Sequence, residues 1–134
     1  MIEVVNRQRR QKIEMEPWKE LAEQILKVIG NDQRSATIAF VSDKKIRELN
    51  SRFRGINKST DVLSFPAEEP DNLGDIAISV DTAAAQSVQN GLTLNEEISQ
   101  LILHGLLHLS GYDHETDNGE MNKLELKLRQ QLGI

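Results

Sequence analysis

Apolar positions recur along the chain with two periods. The switches between them divide the chain into nine predicted elements. Residues 2–5 form a short β-branched run, the first predicted strand, and the basic residues Arg7, Arg9, Arg10 and Lys12 follow it as a connection. Pro17 suits the first position of a helix on which Trp18, Leu21, Ala22, Ile25, Leu26 and Ile29 fall at spacings of three and four, up to Gly30. Residues 36–41 read as a second strand. Ser42 or Asp43 then caps a helix carrying Ile46, Leu49 and Phe53 that ends near Gly55. Residues 60–65 read as a third strand stopped by Pro66, residues 67–73 as an acidic loop, and residues 74–80 as a fourth strand.

The second half is helical. Asp81 is expected to cap an alanine-rich helix closed by Asn90-Gly91. Thr93 and Glu96 have capping-box spacing and open a long helix over Leu94–Leu109, so apolar at Ile98, Leu101, Ile102, Leu106 and Leu109 that it must be largely buried. A last helix over residues 118–132 carries Met121, Leu124, Leu128 and Leu132. The expectation is one α+β domain over residues 1–134: a small mixed sheet of about four strands packed with helices.

Composition narrows the classes. No apolar run is long enough to cross a bilayer and no secretory pattern opens the chain, so a cytoplasmic protein without membrane contact is expected. The chain has no cysteine, which leaves only nitrogen and oxygen ligands for a metal. The net charge of −5 speaks against indiscriminate coating of nucleic acid. The charge is uneven, with 13 Lys and Arg against 8 Asp and Glu in residues 1–60, and 3 against 13 in residues 61–134. That asymmetry fits a basic face for an anionic partner, or two halves whose charges mix on one folded body.

All 3 histidines lie in one window, His104-Gly-Leu-Leu-His108-Leu-Ser-Gly111-Tyr-Asp-His114. His104 and His108 are one helical turn apart on the same face, and Gly111 can end the helix so that His114 returns to them. Two buried imidazoles each need a partner, and a shared metal satisfies both lone pairs. Three protein ligands leave a coordination position open, as in catalytic rather than structural zinc sites. The spacing matches that of metzincin proteases, but Gly105 stands where their general-base glutamate belongs, which leaves a peptidase as the third-ranked reading. Met121, downstream, reads as core. Asp113 and Glu115 flank His114 and can hydrogen-bond a ligand histidine, as can Asp75; the general base stays open among the acids.

The same window resembles the signature of the YbeY family of rRNA maturation factors, metal-dependent endoribonucleases. Phe53-Arg54-Gly55, the run from Thr60 to Pro66 and Leu73-Gly74-Asp75-Ile76 resemble further family segments in the family's order. Together these cover most of residues 45–125. The resemblance implies one zinc ion on His104, His108 and His114, and action on single-stranded RNA in 3′-end maturation of small-subunit ribosomal RNA and in ribosome assembly and quality control. It also implies small-subunit ribosomal proteins and assembly GTPases as partners, and singles out Arg54 as the catalytic cation. Arg54 also suits a phosphate by its planar fork, or complements a helix terminus. The alternative is a non-catalytic assembly factor that binds RNA or protein through a metal-organised surface.

Overall fold

A computed structural model describes residues 1–113 and 116–134. Its elements run β1 (Ile2–Asn6), α1 (Met15–Val28), β2 (Ser35–Val41), α2 (Asp43–Arg54), β3 (Val62–Pro66), β4 (Asn72–Ser79), α3 (Val80–Asn90), α4 (Leu94–Leu109) and α5 (Glu120–Leu132). The sheet order is β1-β2-β4-β3. β1–β2 and β2–β4 are parallel and β3–β4 is antiparallel, which gives the mixed four-stranded sheet of an α+β domain.

The sheet has two apolar faces. On one, Ile38, Phe40, Ile76 and Ile78 join Ala22, Ile25 and Leu26 of α1, Ile98, Ile102 and Leu106 of α4, and Met121 and Leu128 of α5 in the main core. On the other, Val41, Leu63 and Ala77 pack under Ile46 of α2. β2 and β4 lie side by side, so the basic and acidic halves of the sequence interleave, and Arg10 reaches Asp81 at 3.6 Å.

Local chemistry sets the helix ends. Thr93 accepts from the Glu96 N–H while Glu96 accepts from the Thr93 N–H, the capping box expected from the sequence. Hydrogen bonding to the Glu96 carboxyl, first from the Thr93 backbone N–H and then from the Thr93 side chain, holds it below the ordinary carboxylate range. A depressed folded-state pKa contributes stability above the unfolded value that is lost as pH falls through the folded one. Glu96→Gln is therefore expected to melt slightly below the parent at neutral pH, with the gap closing in acid below about pH 4. A gap that persists unchanged in thermal melts down to that pH would rule out this origin.

Three helix starts and one side chain differ from expectation, and β4 begins at Asn72, inside the expected acidic loop. Ser79, not Asp81, caps α3 by accepting from Thr82, because the strand runs directly into the helix; Asp81 instead accepts from the Asp43 N–H. Pro17 is the third residue of α1, where its missing N–H is still harmless. Gly119 precedes α5 in the left-handed region, and Asp117 accepts from the Gly119 and Met121 N–H groups, so the helix starts at Glu120 rather than near Asn118. Phe53 is 60% exposed and packs edge-on against Phe65 at 5.3 Å rather than entering the core.

Gly74 explains one of the sequence segments. At φ +129° it lies so close to β3 that a Cβ would fall 2.1 Å from the Phe65 carbonyl oxygen and 2.9 Å from the Ala67 nitrogen. Only glycine fits a backbone held this tightly.

Candidate metal and phosphate site

Helix α4 carries the site on its one polar stripe. Ten of its sixteen residues are buried, while His104 and His108 are partly exposed on the remaining face. Their Nε2 atoms face each other at 3.0 Å, with ring centroids 4.6 Å apart and planes at 77°.

The orientation of His104 has a cause the sequence reading missed. Glu125 of α5 is buried, and its Oε1 lies 2.7 Å from His104 Nδ1. A carboxylate accepts, so Nδ1 carries the proton and the Nε2 lone pair points at His108. Arg129, one turn along α5, donates from Nη2 to Glu125 Oε2 at 3.2 Å. The pair compensates the buried carboxylate charge and ties α5 to the ligand face.

These nitrogens suit a metal. An ion with tetrahedral angles and Zn–N bonds of 2.0–2.1 Å spaces its nitrogens roughly 3.3 Å apart, a few tenths from the distance here. A carboxylate behind a ligand imidazole is the usual support of such a ligand. Among the described residues no three His, Asp or Glu side chains form a metal-binding group. His114, the expected third ligand, and Glu115, one of the expected supports, lie outside the described residues.

Arg54 reaches the same place from α2. With Ser64, Tyr112, Asp113, His104 and His108 it lines a cavity of about 570 Å³ between the end of α2, β3 and the turn after α4. Arg54 is the last residue of α2 and Gly55 caps the helix in the left-handed region at φ 68°, so Arg54 occupies a helix terminus and the cavity wall at once. Asp113 lines this cavity too. Asp75 does not. It alternates with Ile76, whose side chain meets α4, so it is exposed and belongs to the opposite face of the sheet.

Gly105 has a structural reason. A Cβ there would lie 2.9 Å from Ile76 Cδ1 and 3.2 Å from its Cγ1 and Cγ2. The residue after His104 thus faces β4, and its missing side chain is what lets α4 seat on the sheet. The cavity's polar groups are two imidazoles with facing Nε2 atoms, a guanidinium, and the carboxylates of Asp61 and Asp113. That set can hold a divalent cation and a phosphate beside it.

A model of the family described as Endoribonuclease YbeY matches residues 3–133. The Endoribonuclease YbeY of Nautilia profundicola is 50% identical over 99 residues, which cover 72% of this chain and 71% of that protein. The Endoribonuclease YbeY of Syntrophus aciditrophicus is 36% identical over 138 residues, covering 98% and 86%. The solution structure of TM1509 from Thermotoga maritima superposes with a TM-score of 0.71 at 32% identity, over 98% of this chain and 89% of that one.

Proposed function

Because this chain belongs to the endoribonuclease YbeY family, we propose that it is a zinc-dependent endoribonuclease, cutting single-stranded RNA at the cavity lined by Arg54, His104 and His108. The observation that carries the proposal is the 3.0 Å approach of the two histidine nitrogens beside a guanidinium. In this reading His104, His108 and His114 hold the ion. The ion, when bound, supplies Lewis acidity toward water or a phosphoryl oxygen.

The chain's own residues do the rest. Glu125 keeps the His104 proton on Nδ1 and the imidazole aimed. Arg54 presents two parallel N–H groups to a non-bridging phosphate oxygen pair and offsets charge as it develops there. Asp61 and Asp113 are the carboxylates lining the cavity. Asp61 already accepts from the Val62 N–H and the Thr60 hydroxyl. The RNA 2′-hydroxyl, next to its own scissile phosphate, is a nucleophile that the protein need not provide.

The cellular reading follows the family resemblance: 3′-end maturation of small-subunit ribosomal RNA, ribosome assembly and quality control in the cytoplasm, beside small-subunit ribosomal proteins and assembly GTPases. No helix among the described residues is long and apolar enough to cross a membrane.

Arg54 tests the phosphate half of the site. Arg54→Ala is expected to lower kcat on a single-stranded RNA by about 10²–10³-fold while leaving metal content and melting temperature unchanged. Arg54→Lys should recover only part, because an ammonium lacks the fork. Full single-turnover activity in Arg54→Ala would assign Arg54 to the helix terminus alone.

A further inference from the structure

A second cavity, of about 680 Å³, lies on the other side of His104. It shares His104, Asp61 and Val62 with the first, so the two form one path past the imidazole. Its volume is within the range of small-molecule pockets, about 300–1,000 Å³. Its lining differs in kind. Gln86, Gln89 and Asn90 on α3 and Gln100 on α4 bring four carboxamides to one cleft, with no Phe, Tyr or Trp among the lining residues.

The charges argue against a phosphate here. Arg129 lines the wall, but its guanidinium is already engaged with Glu125. Asp61 and Glu97 add negative charge. Asn90 donates to Glu97 at 2.8 Å, whereas Gln86, Gln89 and Gln100 make no side-chain hydrogen bond among the described residues.

A carboxamide offers a donor and an acceptor side by side, which is the complement of a base edge and the reason Asn and Gln pair with adenine in two-point contacts. We propose that this amide-lined cleft between α3 and α4 is a base-reading subsite for the nucleotide that neighbours the phosphate held at Arg54, adenine pairing best. The inference rests on RNA being the ligand of the first cavity, but not on its being cut there. The adenine edge that pairs with a carboxamide is free to enter only from an unpaired strand, since in A-form duplex it lies in a major groove too deep and narrow for side chains to read. The one ring in the lining, His104, is already set between Glu125 and His108, so the four carboxamides dominate recognition and make it base-selective rather than sequence-tolerant.

The test is binding of fluorescent single-stranded 8-mer RNAs that differ at one base in an otherwise constant sequence, with the duplex form as control. The parent should bind the best base about tenfold more tightly than the worst, adenine first, and the duplex with no such spread. Gln86→Ala combined with Gln100→Ala should shrink the spread to about twofold, with circular dichroism and bound metal unchanged. Single Gln86→Ala and Gln100→Ala proteins keep the test intact if the double variant folds poorly. No base dependence in the parent, a spread that survives the substitutions, or equal dependence in the duplex overturns the subsite. Base-dependent binding without cleavage would sink the nuclease reading and leave the subsite standing.

Discussion

His108→Ala is expected to abolish RNA cleavage to within the background of a nuclease-free preparation, a loss of at least about 10³-fold. The side chain is at the cavity surface, partly exposed, and its ring is used for the 3.0 Å approach to His104 rather than for packing. Truncation removes a proposed ligand but leaves the apolar contacts of α4, so the fold should survive. Two measurements on the same protein check this: elemental analysis for loss of zinc, and cleavage of a single-stranded RNA by metal-loaded parent and variant. Equal cleavage by the two proteins would remove the ion from the chemistry. A metal-free variant that still restored normal ribosomal RNA in cells lacking the protein would favour the binding-factor alternative over catalysis.

Gly105→Glu should destabilise the protein by about 4 kcal/mol or more and yield no peptidase. Three terms decide the sign. Replacing a mid-helix glycine gains up to about 1 kcal/mol. Forcing atoms into a packed interface costs about 1–3 kcal/mol, and here all three nearest atoms are on one buried residue, Ile76, at 2.9–3.2 Å. Leaving an unpaired carboxylate against that residue adds several kcal/mol. The losses exceed the gain and take a large share of a typical 5–15 kcal/mol. Gly105→Ala carries only the first two terms and should fall within about 2 kcal/mol of the parent, because Ile76 can give at its δ carbon. Denaturant midpoints measure both. A fully stable Gly105→Glu protein, or one that hydrolyses peptides, would contradict the packing argument and revive the protease reading.

How legible all this was in the sequence depends on the range of the contact. Helix α4 is bounded in the structure by the same residues, Leu94–Leu109, as in the sequence reading, because its capping box and apolar stripe are local signals. The four strands were legible for the same reason, while their order was not: nothing local says that β4 inserts between β2 and β3. Among the candidate site residues, His104, His108 and Arg54 meet in one cavity, although Arg54 is separated from the histidines by two strands and a helix.

Asp75 and Glu125 show two different failures. Asp75 could have been discarded from the strand period alone, since it alternates with Ile76 and Ile78, which face α4. Glu125 left a signal that was passed over. It sits at the i+4 position from Met121, beside Leu124 and ahead of Leu128, on the buried stripe of α5. A charged residue at a core position of an amphipathic helix calls for a partner. Which partner was not readable, because it lies 21 residues away across a helix–helix contact.

If the ion is zinc, as proposed, the way α4 is buried bears on how a cell would experience zinc scarcity. Its ten buried residues include neither His104 nor His108, and they lock the helix against the sheet and α1 without using a ligand nitrogen. A small zinc-finger domain that loses its ion unfolds and is cleared by proteases. On the proposed metal dependence, this chain would instead persist as a folded protein with its two imidazoles already aimed, and its activity would return with the metal, without new synthesis.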